Sequence, residues 1–206
     1  YDAQDPAWLR SQNGRAESFF RRTGITFNVY GQADGEERLI PFDMVPRIIS
    51  GSEWRRIARG IEQRVKALNA FLHDIYHKQE IVRAGRLPLQ QMVGFSPPGG
   101  VYTHIVGIDL VRTGPDEFHV LEDNARTPSG VSYMLENRET MMAMFPDLFA
   151  HIPVRPVQDY PRQLAASLAR SAPPAAAGSA EPVIAVLTPG IYNSAYFEHA
   201  FLADQM

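Results

Sequence analysis

The stretch VGIDLVRTGPDEFHVLEDNARTPSG, residues 106–130, sets five acidic side chains among apolar runs. Asp109 and Glu122 interrupt two segments that otherwise read as half-buried strands. Between the runs, RTGPD has the residues of a tight turn, so the pair is expected to close as a hairpin. Side chains alternate faces along a strand, and residues opposite one another across a hairpin share a face. If the turn sets Arg112 opposite Glu117, Asp109 falls opposite Val120, with Glu122 and Asn124 as diagonal neighbours on the same side. A slip of one residue would carry Asp109 to the other side.

Two carboxylates and an amide oxygen are hard donors of the kind Mg²⁺ takes from a protein, its remaining positions being left to water and phosphate. Two carboxylates brought together without a cation repel, the more so where the dielectric is low. A plainer reading stays open. Asp109 could pair with Arg112 or another arginine, and Glu122 and Asp123 could simply end a strand.

Outward from the hairpin, GITFNVYG (24–31) alternates like a strand, QADGEE is a turn, and RLIPFDMVPRII resumes an extended path. The segment before residue 23 reads as helical. SGSEWRRIARGIEQRVKALNAFLHDIYH is the clearest helix, with Trp54, Ile57, Ile61, Val65, Leu68, Leu72 and Ile75 at helical spacing. Ser50 and Glu53 fit a reciprocal capping box at its start. VYTHIVGIDLV is expected to be one strand carrying both His104, as a packed core histidine, and Asp109. VSYMLENRETMMAMFPDLF reads as a helix whose methionines fill core space, and a further helix is expected near residues 160–170. SAPPAAAGSAEP (171–182) reads as a linker. VIAVLTPG then reads as a strand with a Gly loop, and NSAYFEHAFLADQM as a helix capped by Asn193 or Ser194.

The chain of 206 residues has 45% apolar residues, a net charge of −3 and no cysteine. The small charge, with no basic stripe, argues against nucleic acid as a partner. The absence of cysteine removes disulfides, thiolate metal sites and cysteine nucleophiles. No apolar run approaches the roughly 18 residues of a membrane span. No charged-then-apolar leader opens the sequence, and a cytoplasmic location is expected. The ends read as cut, so a larger protein is expected around this chain.

An Asp in an apolar strand, a turn, Glu-x-Asn at the end of the next strand and a Pro/Ser/Gly loop is similar to the metal-binding end of ATP-grasp ligases. More narrowly, LEDNARTPSGVSYMLENR resembles the signature of the circularly permuted ATP-grasp family, related to the ligase half of glutathionylspermidine synthase. ITFNVYG, VPRIISGSEW, RVKALNAFLHDIY, PPGGVYTHIVGIDLVR and LTPGIYNSAYFEHAFLA resemble the same family in the same order.

The resemblance implies an α+β or α/β fold of permuted ATP-grasp type, with a mixed sheet flanked by helices. The metal-binding region is expected over 1–170, the linker over 171–182, and the start of a second α/β domain over 183–206. It implies an ATP- and Mg²⁺-dependent ligase that activates a carboxylate as an acyl phosphate for attack by an amine, with small or peptide-like acids and amines as partners. Asp109, Glu122 and Asn124 would hold the Mg²⁺. Arg126 would contact the transferred phosphoryl group or the substrate carboxylate, unless it pairs with Asp123 or Glu122. The Ser129–Gly130 loop would offer backbone amides to that group, or would only start the next helix. Arg47 and Arg138 are further anion contacts, and TPGIYNS could present amides to an anion. No counterpart of the family's lysines and Gly-rich phosphate loop occurs here; in the permuted order they follow an LTPG-type segment. The alternatives are a non-catalytic nucleotide-binding or scaffold protein of the same fold and, further off, a phosphotransferase.

Overall fold

The computed structural model describes residues 5–28, 37–88, 94–173 and 182–206. The chain divides into two compact units. One comprises Tyr1–Arg47, Ser129–Ala169 and Glu181–Met206; the other comprises Ile48–Pro128 and Arg170–Ala180. The turn expected at QADGEE and most of the expected linker fall outside the described residues.

The first unit begins with helix α1 (Pro6–Thr23). Asp5 caps it by accepting the Ala7 amide at 2.9 Å, and Pro6 needs no amide partner in the first turn. The helix stops at Gly24, which turns into the left-handed region at φ +68°. Gln12, Ala16 and Phe20, four residues apart, are its buried face. Strand β1 (Thr26–Asn28) pairs antiparallel with β2 (Glu37–Leu39).

Helix α4 (Val131–Met144) is followed at once by α5 (Pro146–His151). The single helix expected over 131–149 is therefore two, because Pro146 cannot continue a helix and instead starts one. Ala16, Met44 and Met144 form a buried cluster covered by Phe42 and Phe145, so at least one of the methionines is core filler as expected. Helix α6 spans Tyr160–Arg170. The expected strand at 183–187 has no ladder partner among the described residues, and Val183 and Leu187 are 96% and 91% exposed. Helix α7 (Tyr196–Gln205) starts later than expected: Ala195 is its N-cap, and the Asn193 side chain accepts the Ala195 amide at 2.9 Å.

The second unit is helix α2 (Gly51–Tyr76), a single turn α3 (Glu80–Arg83), and strands β3 (Gly107–Gly114) and β4 (Glu117–Asn124), paired as an antiparallel hairpin. Ser50 accepts the Glu53 amide at 3.2 Å as expected. The reciprocal half of the capping box is replaced, since the Glu53 carboxylate goes to Arg112 at 2.9 Å. Strand β3 begins only at Gly107, so His104 lies off the strand in an exposed bend rather than in the core. In place of the single mixed sheet expected, the described residues form two separate two-stranded antiparallel sheets. Among the described residues no helix is long and apolar enough to cross a membrane.

Candidate functional site

The hairpin register differs from the one the turn suggests. Arg112 stands opposite Phe118 rather than Glu117, and Gly114 takes the place opposite Glu117. Two irregularities follow, one between Arg112 and Gly114 and one between Asp109 and Leu110. At the second, Leu110 is opposite Val120 while Asp109 is opposite Glu122, so Leu121 is an extra residue bulged out of the ladder, 71% exposed.

That bulge decides where the acids point. Ile108, Leu110 and Arg112 share one face of β3, and Phe118 and Val120 stand opposite the latter two on β4. Leu110, Phe118 and Val120 look toward Arg56, Ile57, Ile61 and Arg64 of α2. In an unbroken strand, Glu122 would follow Val120 onto this helix-facing side. The extra Leu121 shifts the alternation by one. Asp123 then faces α2, and Glu122 and Asn124 turn to the other side with Asp109.

On the α2 side three arginines reach carboxylates, although Nη2 of Arg56 is buried without a hydrogen-bond partner. Arg64 makes a two-pronged contact with Asp123 at 2.6 and 2.5 Å, which holds the Asp123 carboxyl below the usual carboxylate range. Arg112 joins Glu53 and donates to the turn carbonyls of Gly114 and Pro115 at 3.0 and 2.7 Å. Arg56 reaches Asp116 at 2.8 Å. The Asn69 amide oxygen accepts the backbone amides of Tyr102 and Thr103 at 2.7 and 3.2 Å, fixing the approach to β3.

On the opposite face His119 and Glu117 pair at 3.0 Å near the turn, while the acids at the far end stand apart from them. Asp109 and Glu122 face each other directly, both exposed, and neither makes an ion pair or hydrogen bond among the described residues. Asn124, half-buried and two residues on, also has a free side chain. Gly107 stands opposite Asn124; a methyl there would lie a tight 3.2 Å from Pro128 Cβ and at ordinary contact distance, 3.7 Å, from Asn124 Cβ. Like charges directly opposite across a ladder are destabilising on their own. Among the described residues no three His, Cys, Asp or Glu side chains converge as a metal site. The donor set for an ion is thus two carboxylates and one amide oxygen, which suits a hard cation that keeps waters or phosphate oxygens and does not suit a fully caged one.

Arg126 is exposed and makes no ion pair among the described residues: of its two expected partners, Asp123 is held by Arg64 and Glu122 stands opposite Asp109. The remaining expected residues fall in the other unit. Arg47 is exposed in the loop before α2. Arg138 is half-buried over the Phe149 ring and donates to the Arg155 carbonyl at 2.6 Å, with no carboxylate partner. Ser129 is exposed, and Gly130 caps α4 at φ +105°. The Gly130 amide is engaged by Glu198 of α7, whose carboxylate also takes the Ser132 amide and hydroxyl. Sequence reasoning missed Glu198; it lies 68 positions after Gly130, and no local pattern marks it. Burial, and less so the Glu198 charge, raises the Tyr133 and Tyr160 phenols above their ordinary range.

Comparison with known proteins agrees with the hairpin signature. An uncharacterized protein of Synechocystis sp. is 50% identical over 98% of this chain and 43% of its own length. An uncharacterized protein of Mycobacterium tuberculosis is 52% identical over 98% of this chain and 37% of its own. A Frankia alni protein named "Putative glutamate--cysteine ligase 2-3" is 41% identical over 98% of this chain, which corresponds to 24% of that protein. The chain thus spans less than half the length of these relatives. The family model described as a circularly permuted ATP-grasp matches residues 46–206, which hold the α2 latches, the acid pair and the Glu198 contact. With most of its length inside that match, the chain belongs to the circularly permuted ATP-grasp family.

Proposed function

We propose that this protein acts as an ATP- and Mg²⁺-dependent ligase joining a carboxylate to an amine, with Asp109, Glu122 and Asn124 as the Mg²⁺-holding face. One observation carries the reading: two carboxylates stand directly opposite each other, without an ion pair among the described residues, on a hairpin whose other face pairs its acid Asp123 with Arg64. Family membership supports the use of ATP. Two Frankia relatives, 41% and 38% identical, bear the name glutamate–cysteine ligase, a name that belongs to proteins of which this chain matches 24%. An ion held by Asp109, Glu122 and Asn124 would supply charge neutralisation at the ATP phosphates; the substrate carboxylate would take the γ-phosphoryl group with release of ADP, and the amine would then displace phosphate and lose a proton to give the amide.

The chain's own residues then divide the work. Asp109 and Glu122 offer unpaired carboxylate oxygens, and Asn124 a neutral one. Arg126, with a free guanidinium fork, takes the oxyanion of the transferred group or the substrate carboxylate. Arg47 and Arg138 are anion contacts, the latter with its charge uncompensated. Ser129 offers its amide and hydroxyl to substrate, while Gly130 gives the loop its turn. The division into residues 1–170, 171–182 and 183–206 belongs to this proposal too.

The test is Mg²⁺-dependent ATP turnover by the whole protein. Asp109→Ala and Glu122→Ala each lower it about 1,000-fold, the several kcal/mol a metal site contributes at about 1.4 kcal/mol per decade. Circular dichroism stays unchanged. Turnover equal to wild type in either variant sinks the assignment. Mg-ATP binding by calorimetry without turnover across acids and amines would instead favour the scaffold reading.

A further inference from the structure

Helix α7 holds two loops with two consecutive side chains. Glu198 is 4% exposed, and its contacts are all donors: the Gly130 amide to both carboxylate oxygens at 2.9 and 2.7 Å, the Ser132 amide at 3.1 Å and the Ser132 hydroxyl at 2.8 Å. The next residue, His199, bonds through Nδ1 to the Thr188 hydroxyl at 2.9 Å, and that same oxygen accepts the Gly190 amide at 3.2 Å. The glycines so held have nearly equal backbone angles, φ +105° at Gly130 and +104° at Gly190, where a side chain would be strained.

This is a costly way to cap a helix. A Ser or Asp in the chain before α4 would satisfy its first amides locally. Instead the N-cap is a glycine without a side-chain bond, and the acceptor is a buried carboxylate from 68 residues away that makes no ion pair among the described residues. Burying a charge on amide dipoles alone is expensive unless its donors are complete and rigid, as these are. The Gly130 loop is also the end of the connection that carries Arg126 and Ser129.

We propose that Glu198 is a positioning residue: α7 acts as a clamp that fixes the Gly130 loop through Glu198 and the Gly190 loop through His199, and so sets where the Gly130 loop presents Ser129. The catalytic part of this inference rests on the ligase reading.

The whole protein tests it, with Mg-ATP as the probe. Glu198→Gln keeps the size and burial but turns one acceptor oxygen into a donor facing donors. It should lower kcat about 100-fold, the cost of displacing an orienting element by about 1 Å, with KM for Mg-ATP held within about twofold. Hydrogen exchange at the Gly130 and Ser132 amides should speed up in the same variant, with circular dichroism unchanged. Glu198→Asp, which keeps the charge, should recover about tenfold of the lost kcat. Ser132→Ala, which leaves the carboxylate on both amides, should stay within about threefold of wild type. A wild-type kcat in Glu198→Gln, or a loss that merely tracks the folded fraction, overturns the positioning role and leaves the ligase reading standing. If wild type itself turns over no Mg-ATP, the ligase reading fails together with the positioning role. The clamp is then decided by exchange alone, and unchanged exchange at Gly130 in Glu198→Gln overturns it.

Discussion

The hairpin and the start of α4 handle acidic side chains in opposite ways. At α4, the Glu198 carboxylate is buried and saturated by two backbone amides and a hydroxyl. On the outer face of the hairpin, Asp109 and Glu122 are exposed, adjacent and unsatisfied. Between these extremes lies Asp123, one residue from Glu122, which Arg64 holds against α2. An acid that serves the fold is provided with donors by the fold. The pair without donors is the one that the proposed function assigns to a ligand.

Substitutions that exchange these circumstances test the contrast by their effect on stability. Trp8 lies in one unit and Trp54 in the other, so urea denaturation followed by the fluorescence of a single-Trp variant reads each unit separately. The largest effect is expected at Glu198→Ala, which strands buried amides at Gly130 and Ser132 and should cost the Trp8 unit about 3 kcal/mol. A cost as small as that of an exposed acid would break the contrast. Gly107→Ala comes next. Its methyl would press on Pro128, costing the Trp54 unit about 1 kcal/mol.

Asp109→Asn should act with the reverse sign. Removing one of two facing charges should stabilise the Trp54 unit by about 0.5 kcal/mol while turnover is lost, and a loss of stability would show that Asp109 has a structural partner. Smallest is Asp123→Asn. Because Arg64 lowers the folded pKa of Asp123, the contribution is complete above the unfolded value of about 3.9 and disappears as pH falls through the folded value. The variant should therefore unfold at lower urea than wild type at pH 7, and the two midpoints should converge below about pH 4.

The residues of the hairpin were legible because turn chemistry and alternation are local signals. Ser50 as the cap of α2 and the span of α6 were legible for the same reason. The register was not. A bulge has no short-range signature; it is set by which face must cover α2, and only packing shows that Leu110, Phe118 and Val120 must share it. The position of His104 was lost to a strand drawn too long, since the backbone joins the ladder only at Gly107. Pro146 was in plain view, yet the apolar pattern ran across it and suggested one helix in place of two. The Glu198 contact and the Glu53–Arg112 pair depend on segments distant in sequence, and tertiary donors overrode the local capping box.

The unpaired Leu121 has a further consequence. By adding one residue to one strand it uncouples the two surfaces of a ribbon only two strands wide. Substitutions that refit the helix-facing side leave the outward acids in place, and the outward side can be rebuilt for another ligand without disturbing the packing beneath it. Deleting that single leucine would leave a regular ladder with Glu122 still opposite Asp109, whereas drawing Leu121 into the ladder would send Glu122 toward the helix and Asp123 outward in one step.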